Sequence, residues 1–281
     1  MPPHSLRDLR HFIWKNLSNM PKSIRASAIE SFGRVRLIAG HTLAEALRMR
    51  LTLLLGVIGA GLVMGALGLH EFNFGSAELK FIGDFGLGAL GGFGTLLAAL
   101  ATAQLFFNEI QCRAAYCVLT RPVRRWEYIW GKFAGVSALL ALFTAFLGTL
   151  IAGLLLWRGA QLGVGPTPLP IFFWACAVQW LKLTLVAGMT LLVCSYSGSA
   201  LFASCAGLIL SVVAHVRPFV VGNRLGWFRM WPNLALFDAE SILGTMQPPT
   251  ATMLLGVLGY WAVYVAVFGV LASYIFKQRE F

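Results

Sequence analysis

Charge is scarce in this sequence. Only 12% of its 281 residues are Asp, Glu, Lys or Arg, 58% are hydrophobic, and the mean hydropathy is +0.75. A soluble domain needs about a quarter of its residues charged, so a soluble globular protein is excluded. Paired cysteines are lacking too: Cys112, Cys117, Cys176, Cys194 and Cys205 include no C-x-x-C and none lies in a predicted outer loop, so neither a disulfide nor a structural zinc is expected. Catalytic signatures are also missing. The Gly-Lys pair of "WGKF" at 130–133 has no glycine-rich loop before it and no Ser or Thr after it. There is no H-E-x-x-H, no G-x-S-x-G and no pair of intramembrane carboxylates for acid–base chemistry. The chain is therefore expected to be no enzyme, to have no catalytic residue and to be unable to hydrolyse ATP by itself.

What is present is a series of long apolar runs, at roughly 51–70, 85–107, 133–157, 171–194, 199–216 and 252–276. A helix needs about 20 apolar residues to cross a bilayer, and in lipid only a helix or a closed barrel satisfies its own backbone. The expected fold class is an all-α integral membrane protein with six transmembrane helices. Residues 1–50 form a basic cytosolic or interfacial segment, and 51–281 form the six-span domain. The first run follows about 50 polar and basic residues and is too long for a signal-peptide core, so it should remain as a span.

The net charge of +11 has a location. Residues 1–50 carry nine Lys and Arg, the turn at 109–132 carries five and the tail two, sixteen in all on one side. The opposite loops carry five, Lys80, Arg158, Arg217, Arg224 and Arg229, and Lys182 lies inside a span. By the positive-inside rule the sixteen face the cytoplasm, with both termini, in a bacterial-type inner membrane. Topology and anionic lipids account for the charge, so lipids are expected partners and nucleic acid is not.

Two stretches of the N-terminal segment read as helical. In "SLRDLRHFIWKNL", Leu6, Leu9, Ile13 and Leu17 recur at helical spacing among basic residues, as in a helix lying in the membrane interface; "GRVRLIAGHTLAEALRMR" repeats the pattern before the first span. A solvated basic tail is the alternative. The longest outer loop, 217–251, carries Trp227, Phe228, Trp231 and Phe237 and is expected to lie on or dip into the outer leaflet.

The basic turn "NEIQCRAAYCVLTRPVRRWEYIWGK" reads as helix, proline break, helix, because Pro122 cannot continue the helix before it. Its arginines suit bidentate contacts with a partner's carboxylates, and Trp126, Tyr128 and Trp130 suit anchoring in a pocket. On physical grounds alone a positive-inside loop with aromatic anchors fits equally.

Glu109-Ile110, Leu119, Pro122-Val123, Arg125-Trp126-Glu127-Tyr128-Ile129 and Gly131-Lys132 resemble a motif of ABC-type exporter permeases of the type-2 class. The branch most resembled comprises permeases related to the one serving nitrous oxide reductase maturation. "LKFIGDFGLGAL" at 79–90, "SYSGSALFA" at 195–203, "PNLALFD" at 232–238 and the tail "FKQREF" add to the resemblance, which runs from about residue 41 to the C-terminus. It implies a membrane-spanning permease subunit, in a homodimer or with a related permease, that couples ATP binding and hydrolysis on a separate ATPase subunit to export. ATP and Mg would sit on that partner, with no cofactor bound by this chain. It also implies an interfacial elbow helix before span 1 and a cytosolic coupling helix between spans 2 and 3, with Glu109, Arg121, Pro122, Arg125, Glu127, Gly131 and Lys132 as ATPase-docking residues. Gln111, Ala114 and Arg124 depart from the family pattern, which bears on which ATPase docks. A different class of reading, a non-transporting membrane anchor or assembly factor that recruits a cytosolic ATPase for envelope protein maturation, uses the same turn.

Lys182 is the one ionisable residue deep in a span, a position that usually faces a bundle interior or wet cavity. Contact with an anionic part of a substrate is one reading; snorkelling, a shifted boundary or a pair with Gln179 are the others. Span 5 carries Ser199, Ser204, Cys205, Gly207, Ser211 and His215, small and polar types that let helices approach. The resemblance sets this span beside the dimer pathway, which makes Ser204, Ser211 and His215 substrate-path candidates with Lys182. A single His without clustered Cys, Met or His is a weak ligand set, and no metal is assigned.

Overall fold

A computed structural model describes the backbone of residues 22–66, 68, 78–111, 125–163, 169–220, 231–238 and 251–278, with the side chains of all but 22–29, 78, 109–111, 218–220 and 251. The described residues are almost all helical, without strands: α1 (Lys22–Arg48), α2 (Arg50–Gly65), α3 (Glu78–Gln111), α4 (Arg125–Leu162), α5 (Leu169–Tyr196), α6 (Ala200–Val220), a 3₁₀ turn (Leu234–Phe237) and α7 (Ala251–Gln278). Five of them, α3 to α7, are long and apolar enough to cross a membrane. The protein is multi-pass.

The first expected span differs. Helix α2 has 16 residues, short of the length a crossing needs, and reaches that length only if joined to α1 across a 62° bend. The bend falls at Met49, whose extended backbone (φ −69°, ψ 129°) interrupts the helical ladder, while the Thr52 hydroxyl donates to the Ala46 carbonyl across the break at 2.8 Å. Helix α1 takes in the second basic stretch read from the sequence; the first, at 5–17, lies outside the described residues.

Helix α5 is the centre of the bundle. Of its most apolar 18-residue window 78% is buried, against 11% for α7, so α5 packs against protein on every side while α7 turns most of its surface outward. Between apolar helices in lipid, close van der Waals packing replaces the hydrophobic effect as the cohesive term, and small residues set the distance. Helix α3 supplies them. A Cβ on Gly86 would meet Ile151 of α4 at 2.9 Å, and one on Gly94 would meet Leu183 of α5 at 2.6 Å.

Two features position the functional regions. At the end of the bundle where α4 begins and α7 ends, Phe106, Tyr128 and Phe276 pack together, with Tyr128 stacked on Phe276 at 5.7 Å. From the opposite end, residues 231–238 dive into the bundle. Leu234 and Phe237 are fully buried there, Asn233 caps the 3₁₀ turn by accepting from the Ala235 amide, and its own amide donates to the Tyr260 hydroxyl at 2.7 Å.

Candidate functional site

The first candidate region is the start of α4, where the basic turn ends. Its side chains alternate between three neighbours. Arg34 of α1 donates from Nε and Nη2 to the two oxygens of Glu127, each at 3.0 Å, and the carboxylate is wholly buried. That hydrogen-bonded carboxylate holds the Arg34 guanidinium above its ordinary range. Lys132 is 1% exposed, and its ammonium donates to the Leu105 carbonyl of α3 at 2.9 Å. Arg125 donates to the carbonyls of Phe276 and Lys277 at 3.2 and 2.8 Å, which satisfies the last turn of α7 with a cation where the helix dipole favours one.

Glycines let α1 sit down on this segment. A Cβ on Gly131 would lie 2.7 Å from Ile38, and one on Gly135 would lie 2.6 Å from Thr42. The two glycines are one helical turn apart on the same face, a G-x-x-x-G spacing that brings two backbones together. Sequence reading missed it because the run was judged on its basic and aromatic residues. It also missed Arg34, 93 positions from Glu127.

Of the docking residues named from the resemblance, Glu127, Gly131 and Lys132 are therefore turned inward, and Arg125 is spent on α7. Glu109 lies in the last turn of α3 with its side chain outside the described residues, and Arg121 and Pro122 lie outside them altogether. Among the three aromatic anchors, Tyr128 is buried in the Phe106–Phe276 cluster, and Trp130 lies against Gly269 of α7, where a Cβ would approach it to 2.5 Å. Trp126, 42% exposed, remains on the surface.

The second candidate region is a cavity of about 450 Å³ between α3, α5, α6 and the 231–238 segment. Lys182, Ser211 and His215 all line it, together with Gln179 and Asp238. Lys182 pairs with Asp238 at 2.9 Å, a partner that sequence distance concealed, and not with Gln179, one of the alternatives the sequence left open. Ser211 is 3% exposed and donates to the Leu208 carbonyl, while His215 is exposed. Ser204 does not join them: it is buried and bonds the Leu201 carbonyl within α6. The small face of α6 packs inward, since a Cβ on Gly207 would collide with Thr190 of α5. Leu201 and Ile209 project outward instead, while Val212, though 61% exposed, lies at the cavity's edge. Among the described residues no cluster of His, Cys, Asp and Glu is arranged to hold a metal ion.

No family model matches this chain, and no curated protein matches it.

Proposed function

We propose that this chain is the permease subunit of an ABC transporter of the type-2 class. Six spans, counting α1–α2 as one bent crossing, form a homodimer, and the 109–132 turn docks a separate ATPase that binds ATP and Mg. The observation that carries the reading is the three-way fastening of α4 immediately after that turn: to α1 by Arg34–Glu127, to α3 by Lys132–Leu105 and to α7 by Arg125. A loop that merely records topology requires no such anchorage. A loop that must pass displacement to the bundle does.

In this reading the inward-facing residues of the motif position the turn, and Arg121, Arg124 and Trp126 meet the ATPase. Closure of the ATPase on nucleotide favours one arrangement of the turn over the other; only such a difference in affinity performs conformational work. Because α1, α3 and α7 are bound to the start of α4, they move with it. The cavity beside Lys182 is bounded by α3, so its shape follows that displacement.

The test is purification of the tagged chain in mild detergent with mass spectrometry of what accompanies it. An ATPase is expected with the wild type and is expected to be lost with Arg121→Glu. Arg125→Glu is the poorer probe, because it also uncaps α7. If the wild type brings down no ATPase while remaining folded, the permease reading fails, and with it the anchor reading that recruits an ATPase through the same turn.

A further inference from the structure

The cavity beside α5 has an excess of hydrogen-bond donors. Lys182 has three N–H donors, its side chain is 12% exposed, and among the described residues Asp238 is its one partner. One level away, Gln179 is 3% exposed and lines the same cavity, yet it makes no hydrogen bond to another described residue. Its carboxamide is reached from the cavity, so an occupant with a hydrogen-bonding head can meet it there. Gly91 makes room for it: a Cβ there would stand 2.8 Å from Gln179 Nε2. The remaining wall is largely apolar, with Leu87, Leu96, Leu208 and Val212 extending from the polar end.

Asp238 shows which group fits. It reaches Lys182 on a short segment that enters from outside the helix layer, and its side chain is 41% exposed, so it lies at the rim and its carboxylate alone reaches inward. We propose that the cavity binds a small amphiphile with a carboxylate head. The head takes Lys182 and Gln179, the tail lies along the leucine and valine wall, and Asp238 competes with the ligand for Lys182. The proposal rests on reading Lys182 as part of a substrate path, and it names the class of molecule that path admits.

The test is titration calorimetry on the purified chain in dodecyl maltoside, with decanoate, decanol and acetate as probes. Decanoate is expected to bind, and decanol and acetate each about tenfold or more weakly, the worth of a charge-assisted hydrogen bond or of the buried tail. Lys182→Met is expected to weaken decanoate by about tenfold or more, and Asp238→Asn to strengthen it, since the competitor is gone. Should Lys182→Met fail to fold, Gln179→Leu is expected to weaken binding several-fold. Equal binding of decanol and decanoate, or weaker binding after Asp238→Asn, overturns the proposal and leaves the ion pair a structural one. No ATPase takes part in the measurement, so its outcome stands apart from whether an ATPase is recovered.

Discussion

Arg34 grips both carboxylate oxygens of Glu127, with two N–H donors at 3.0 Å across 93 positions of sequence, and so ties α1 to the first turn of α4. Glu127 has no exposed surface, whereas Arg34 is 31% exposed. The two ends of the pair are therefore unequal. Removing the arginine takes two hydrogen bonds from a buried carboxylate, and removing the carboxylate's charge leaves an arginine that water can reach.

Arg34→Ala is accordingly expected to destabilise the protein more than Glu127→Gln does. The double variant Arg34→Met with Glu127→Met is expected to recover part of the loss. Thermal unfolding in detergent, followed by circular dichroism, measures the order. Equal losses for the two single variants would show that the burial asymmetry does not govern the pair.

The seat of α1 on α4 is steric as well as ionic. Gly131→Val and Gly135→Val each place atoms inside Ile38 or Thr42, and overpacking of this kind costs about 1–3 kcal/mol. Limited proteolysis is expected to cut within 22–48 faster in both variants. Gly153→Val on the same helix, where a Cβ meets nothing within 4 Å, is the control and is expected to cut like the wild type.

Cysteine accessibility reads the packing of α5 and α6. Cys205 is exposed, and Cys176 and Cys194 are buried. In variants that retain one of these three, a membrane-permeant maleimide is expected to label Cys205 rapidly and Cys194 only after denaturation. Rapid labelling of Cys194 in the native protein would contradict the inward packing of α5.

The long apolar runs were legible because each needs only composition. The run at 171–194 corresponds to Leu169–Tyr196, and the run at 252–276 to Ala251–Gln278. The run at 133–157 understated its helix, which begins at Arg125, because Glu127 and Lys132 look like solvent residues until Arg34 and the Leu105 carbonyl are brought to them. The bend at Met49 left no mark, since neither Gly nor Pro stands there. Lys182 was visible as an anomaly on a span, and its cavity neighbours Ser211 and His215 as polar residues on another. The partner Asp238 was hidden by a loop whose aromatic and apolar side chains suggested the leaflet; its described part, 231–238, buries Leu234 and Phe237 in the bundle.

In the proposed function the turn ahead of α4 meets an ATPase. Trp126 is the described residue of the motif that stays on the surface, so a photoreactive benzoylphenylalanine in its place tests contact directly. After irradiation in cells, a covalent adduct between this chain and a nucleotide-binding subunit is expected from position 126. The same group in place of Tyr274, 60% exposed on α7, is expected to give none. Adducts from position 126 with lipid alone, in cells where the chain is folded and inserted, would contradict the account.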